Sequence, residues 1–118
     1  MSDGADRDDK VARILQDLGR FARSAERIVA RGREAYLDPN DDLLRRAGRS
    51  VIVDVSAAVD RLPEAFRAQF PGIPWRNIRD TRNYIAHQYD LVRDDVIWEA
   101  LRTDVPDLVR RIRATGGE

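Results

Sequence analysis

Between Arg79 and Tyr89 the chain concentrates its one histidine, His87, together with Arg79, Asp80, Arg82, Asn83, Tyr84 and Tyr89. These residue types suit the breaking of an RNA phosphodiester by its own 2′-hydroxyl. That reaction needs one group to take the proton from the 2′-oxygen, another to protonate the departing 5′-oxygen, and a cation for the pentavalent phosphorane. Imidazole titrates near neutrality and serves as base or acid, while a guanidinium stays charged and offers a fork of donors to the non-bridging oxygens. Asn83 is suited to holding the imidazole in one tautomer or to donating to phosphate. One histidine cannot be acid and base in the same step, so a single His87 per chain favours a two-fold dimer with one imidazole on each side of a shared cleft.

Spacing sets how these groups can meet. On a helix Asn83 and His87 lie one turn apart on one face, with Arg79 a turn earlier and Arg82 on the flank. Arg82 and His87 are about 140° apart around an ideal axis, a gap a long arginine spans if His87 sits in the last turn. Taken residue by residue, plainer roles fit as well: His87 as a helix-end residue, Arg82 and Asp80 as solvated charges, Tyr84 and Tyr89 as packing residues with a wet hydroxyl. Other chemistries lack their parts. There is no phosphate-cradling glycine loop, no Gly-x-Ser-x-Gly elbow and no His-Glu-x-x-His pair. With one histidine and no cysteine, a transition-metal site has only carboxylates to draw on, so neither metal nor cofactor is expected.

The elements that must position these residues are helical. Apolar residues at Val11, Ile14, Leu15, Leu18, Phe21, Ala22, Ala25, Ile28 and Val29 follow the helical period and predict a long first helix ending near Leu37. Asp38-Pro39-Asn40 stops it, and Asp41 or Asp42 can cap the next. A second stripe, Leu44 to Leu62, keeps helical spacing despite its β-branched residues, so periodicity outweighs propensity. A short segment over 63–70 leads to Pro71-Gly72-Ile73-Pro74, a firm break that delivers Trp75 to a third helix reaching His87 or Gln88. Its core residues are expected to be Trp75, Ile78, Ile85 and Ala86. A fourth element from about Arg93 to Leu101 precedes a last helix opened by Pro106. The expected fold is all-α: a bundle of about four to five helices over residues 10–113, its two long helices antiparallel. Residues 1–9 form a disordered acidic lead-in and 114–118 a frayed tail.

At 118 residues the chain suffices for one core, and a deeper site must come from association. With 21 basic and 21 acidic residues there is no global field to recruit nucleic acid, so any attraction to phosphate is local. Lys10 is the sole lysine, which fits genome composition as readily as function. The absence of cysteine suits a reducing compartment. No signal-like or membrane-spanning apolar run is present, and the protein is expected to be soluble and cytoplasmic.

The segment Ile73-Pro74-Trp75-Arg76-Asn77-Ile78, then Arg82-Asn83-Tyr84-Ile85-Ala86-His87-Gln88-Tyr89 and Val96-Ile97-Trp98, resembles the HepT (DUF86) family of the HEPN superfamily over roughly residues 10 to 112. The hallmark is Arg, four residues, His, one residue, Tyr. The resemblance implies a HEPN-type bundle that forms a homodimer with both motifs facing one cleft, and metal-independent RNA cleavage by a toxin of a type VII toxin–antitoxin system. Arg82 and His87 are then catalytic, with Asn83, Arg79 and Asp80 supporting. It also implies a partner, a nucleotidyltransferase-fold antitoxin of the MntA kind, which transfers AMP to the motif tyrosine, here Tyr89. Such a modification places a bulky anion two residues from His87 and repels RNA phosphate. Two positions depart from the family pattern: Gln88 stands where glycine is usual and Arg93 where an acidic residue is common. Because some superfamily members are noncatalytic, a helical module that only binds a nucleotidyltransferase is the alternative reading.

Overall fold

The apolar period becomes helix wherever nothing interrupts it. A computed structural model of the chain describes the backbone of residues 2–88 and 91–116, in which helix is the only regular structure. The elements are α1 (Ser2–Val29), α2 (Arg33–Tyr36), α3 (Leu43–Arg61), α4 (Glu64–Arg67), α5 (Trp75–His87), α6 (Asp94–Glu99), a π-helical turn over Ala100–Asp104, and α7 (Val105–Gly116). Among the described residues no helix is long and apolar enough to cross a membrane.

The stripe on α1 buries Ile14, Leu18, Ala25 and Ile28, and that on α3 buries Val51, Ile52, Val55, Ala58 and Val59. Each large aliphatic chain removed from water contributes about 1.5–3 kcal/mol, which offsets the weak helix propensity of the β-branched run in α3. Ser24, Arg27 and Ile28 near the end of α1 share a groove with Leu44, Ala47 and Val51 near the start of α3. At the other end Asp17 of α1 reaches Arg61 of α3, at 3.4 Å. The two long helices therefore run antiparallel. α3 is the central helix, with α1 and α5 both packed on it.

Several boundaries differ from the sequence expectation. The first helix does not reach Leu37. It ends at Val29, where the N–H groups of Arg31 and Gly32 donate to Ile28 and Val29 three residues back, and Gly32 takes φ 91°, a left-handed conformation that suits glycine. The break re-aims the short α2 so that Tyr36 is completely buried, its ring 5.2 Å from that of Trp98. Residues 2–9, expected to be a disordered lead-in, continue α1. No proline interrupts them, and the exposure of residues 6–10 shows that this extension rests on local backbone bonding rather than on the core. Likewise α7 runs through Gly116, into the stretch expected to fray.

At the start of α3 the capping carboxylate is that of Asp41, which accepts the Leu43 N–H at 3.1 Å. The last helix, α7, begins at Val105 with Pro106 in its first turn, as expected, but the backbone enters it without a loop. The chain continues from α6 into α7 through the π-helical turn. Proline lacks the N–H that an α-ladder would use at that point and its ring crowds the preceding turn, and the wider π spacing accommodates both.

Candidate active site

The helix carrying the motif is fixed at its N-terminal end by the residues that lead into it. Ile73 is buried, Pro74 precedes the first turn, and the Trp75 indole N–H donates to the carbonyls of Arg67 (3.0 Å) and Phe70 (3.1 Å). Further along, the buried Ser56 hydroxyl of α3 donates to the Ile78 carbonyl, pinning α5 to the central helix in mid-length. Ile85 completes the anchoring in the core. Ala86, expected to be a core residue, is exposed: it lies about 100° round from Ile85 and so faces outward.

This phase decides where each candidate residue stands. Arg82 shares the inward stripe with Ile78 and Ile85 and is half-buried, whereas Asp80, Asn83 and His87 are exposed on the outer face. His87 is the last helical residue. Among the described residues, neither Arg82 nor His87 forms a hydrogen bond or ion pair, with each other or with any carboxylate. One protomer therefore does not assemble the pair by direct contact. It presents an uncommitted imidazole at the end of α5 and an uncommitted guanidinium little more than a turn before it. Arg79 is engaged instead: its Nε lies 3.0 Å from Asp60 Oδ1 of α3, at an angle that makes this an ion pair rather than a hydrogen bond. Asp80 pairs with neither arginine.

The chain beyond His87 is held by a contact that sequence reasoning did not anticipate. Tyr84 is 38% exposed, and its hydroxyl accepts the Arg93 N–H at 3.2 Å, so it tethers the far end of the connection to the motif helix. The Gln88 N–H donates to the Tyr84 carbonyl, and the Leu91 N–H to that of Gln88. Gln88 has φ −118° and ψ 32°, so the backbone at this position does not demand glycine. Arg93 pairs with Asp95 at 2.8 Å, and that hydrogen bond is the main cause holding the Asp95 carboxyl below its ordinary pKa. Tyr89, the expected modification site, lies outside the described residues.

A cavity of about 460 Å³ between α3, α5, the π-helical turn and α7 is lined by Asn77 and Thr81 of α5 but not by Arg82, Asn83 or His87. The motif residues stand on open surface, and Leu91 and Val96, which follow them in sequence, are exposed apolar side chains. A second missed feature fixes the start of α6 to α3. Arg49 and Arg45 of α3 both face Asp94, which opens α6; Arg49 is paired with it at 2.8 Å and Arg45 lies at 3.7 Å. The signal available beforehand was the i, i+4 spacing of the two arginines. Among the described residues no three His, Asp or Glu side chains converge as metal ligands.

The family described as "Ribonuclease HepT-like" matches residues 16–115 of this chain. Among individual proteins, the chain is 30% identical over 73 residues to "Putative RNase TTE0752" of Caldanaerobacter subterraneus subsp. tengcongensis, covering 62% of this chain and 65% of that protein. It is 32% identical over 54 residues to "Probable ribonuclease HepT" of Thermococcus cleftensis, covering 46% and 49%. It is 29% identical over 58 residues to "Putative RNase MJ0127" of Methanocaldococcus jannaschii, covering 49% and 48%. The chain thus spans between about half and two thirds of the length of these relatives. No solved structure gives a significant match. With the match running almost the whole length of the bundle and including every residue of the motif helix, the chain belongs to the ribonuclease HepT-like family.

Proposed function

We propose that this protein is a metal-independent endoribonuclease toxin whose active site is completed by a second copy of the chain. The observation that carries the reading is that Arg82 and His87 stand at the end of one firmly anchored helix with no partner of their own among the described residues. A cation and a titratable ring left unpaired are groups available for a substrate. Tyr84, Leu91 and Val96 expose apolar surface in the same stretch of chain, which favours self-association around the motif.

In the proposed reaction the neutral imidazole of one protomer takes the proton from the ribose 2′-hydroxyl, and the freed oxygen attacks the adjacent phosphorus. The Arg82 guanidinium groups hold the non-bridging oxygens as charge builds in the phosphorane. The imidazolium of the other protomer protonates the leaving 5′-oxygen. The products are a 2′,3′-cyclic phosphate and a 5′-hydroxyl, with no water consumed. Asn83, one turn before His87, orients the ring or donates to phosphate. A nucleotidyltransferase-fold antitoxin neutralises the enzyme by AMP transfer to Tyr89, two residues after His87 in sequence, where the added phosphate repels the RNA backbone.

The test is an RNA digest in excess EDTA with purified protein, read by end-group analysis. Cyclic phosphate ends are expected from the parent chain, and no cleavage from His87→Ala or Arg82→Ala. Alanine variants that cut as fast as the parent overturn the assignment. Intact RNA in every arm, together with a tight complex with the nucleotidyltransferase, supports a noncatalytic binding module instead.

A further inference from the structure

We propose that the groove between α1 and α7 is a second RNA contact, in which Arg23 and Arg113 grip a backbone phosphate above Gly19. The ligand is named on the strength of the ribonuclease reading, but the groove itself involves neither Arg82 nor His87.

The geometry begins at Gly19. A β-carbon there would stand 2.8 Å from Nη2 of Arg113 and 3.7 Å from Nη1 of Arg23. Two guanidinium groups from different helices thus converge on one point over the α1 backbone, and the missing side chain leaves room for them. Like charges brought this close repel unless an anion lies between them. Among the described residues neither arginine has a carboxylate within ion-pair distance, although Glu26 also lines the groove. The neighbouring Arg110 is different, being held by Asp107 at 2.6 Å. Ala22, Pro106, Val109 and Ala114 complete the lining, so the floor is small and apolar and the polar character comes from the arginines.

The wider surface favours a linear polyanion over a single small anion. Arg13 and Arg27 lie exposed elsewhere along α1, Arg27 at the groove shared with α3, and among the described residues neither pairs with a carboxylate. With Arg23 they place three guanidinium groups within about 80° of the α1 circumference along about 21 Å of a chain whose formal net charge is zero. Planar guanidinium forks suit phosphodiester oxygens. Since α3 separates α1 from α5, these groups meet RNA several nucleotides away from the scissile linkage.

The experiment measures binding apart from cleavage. A labelled 2′-O-methyl RNA, which has no free 2′-hydroxyl to attack, is titrated against the full chain over a range of salt concentrations. It is used as a strand long enough to span the bundle and as a trinucleotide. For Arg23→Gln with Arg113→Gln, affinity for the long strand is expected to fall roughly tenfold at low salt, and the salt slope to fall by about 0.7 for each arginine removed. Trinucleotide binding is expected to be unchanged. Gly19→Ala is an independent probe: alanine favours the helix but intrudes on the Arg113 guanidinium, so RNA affinity falls without loss of thermal stability. Unchanged long-strand affinity and slope in the double variant overturn the proposal, as does a polyglutamate peptide that competes as well as RNA. The binding result stands apart from the digest: a parent chain that binds through the groove yet never cuts RNA retains this contact and loses the nuclease reading.

Discussion

Arg49 grips Asp94 with two parallel hydrogen bonds, Nε to Oδ1 and Nη2 to Oδ2, each 2.8 Å, across 45 residues of chain. Both side chains are more than four-fifths buried, so this is a largely desolvated fork joining the middle of α3 to the first turn of α6. Removing Asp94 takes the carboxylate away from both Arg49 and Arg45. Asp94→Ala is expected to cost about 3 kcal/mol, a drop in Tm of roughly 10 °C, and a double-mutant cycle with Arg49→Ala is expected to show strong coupling. Additive losses in thermal unfolding would mean that the two side chains act independently.

Tyr36 and Gly48 form a second exacting contact. A β-carbon at residue 48 would collide with the Tyr36 hydroxyl and stand 2.8 Å from Cδ1 of Leu101. That hydroxyl is buried without a hydrogen-bond partner among the described residues, and burial pushes its pKa well above the ordinary value. Gly48→Ala is expected to destabilise by about 2–3 kcal/mol through overpacking. Tyr36→Phe removes an unsatisfied group and is expected to be neutral or to stabilise by about 1 kcal/mol. Combined, the phenylalanine recovers part of the alanine loss in denaturant melts. A Tyr36→Phe variant several degrees less stable than the parent would show that the hydroxyl has a partner.

A pH-dependent prediction concerns Asp104 at the end of the π-helical turn. Its carboxyl is pushed above the ordinary value of 3.8, by burial first and then by the neighbouring Asp107 and Glu99. The folded state therefore binds this proton more tightly than the unfolded chain does. The ionised form opposes folding above the raised value, and this opposition fades as pH falls toward 3.8. Asp104→Asn is expected to raise stability at neutral pH by less than about 1 kcal/mol, since the group is substantially exposed, and to make no difference in strong acid. Melting curves at both pH values check the sign; a less stable variant at neutral pH refutes it.

Tyr84→Phe tests the tether across the connection that follows the motif. Loss of the acceptor for the Arg93 N–H is expected to cost about 1 kcal/mol or less and to speed hydrogen exchange at the Arg93 amide, while α5 keeps its protection. If His87 depends on this connection for its presentation, RNA cleavage falls by more than the stability change accounts for. Unaltered exchange at Arg93 would remove the tether from the account.

The two long helices and α5 were legible because their apolar residues recur at helical spacing and Pro71 to Pro74 punctuates them unmistakably. The end of α1 was not, because one residue, Gly32, turns the chain within a stretch whose neighbours are all compatible with helix. Pro106 correctly marked the start of α7, but the π-helical turn that joins α6 to it has no spacing signature and was not legible. At the site, the chemistry of Arg82, Asn83 and His87 was readable from residue type. That Arg82 lies on the inward stripe follows only once Ile78 and Ile85 are known to fix the phase of α5. The engagement of Arg79 by Asp60 depends on how α3 and α5 pack, which local sequence does not encode.

The π-helical turn also has a consequence for how this chain tolerates length changes. On the near side of the turn, α6 leans on α3; on the far side, α7 leans on α1. The wide turn acts as a gear between these two meshings. Leu101 and Val105, both buried, are the teeth that carry the rotation from one partner to the other. Excising a single amino acid between them would leave a more ideal helix that meshes with one neighbour and slips past the other. In this bundle, therefore, local regularity and global assembly pull in opposite directions.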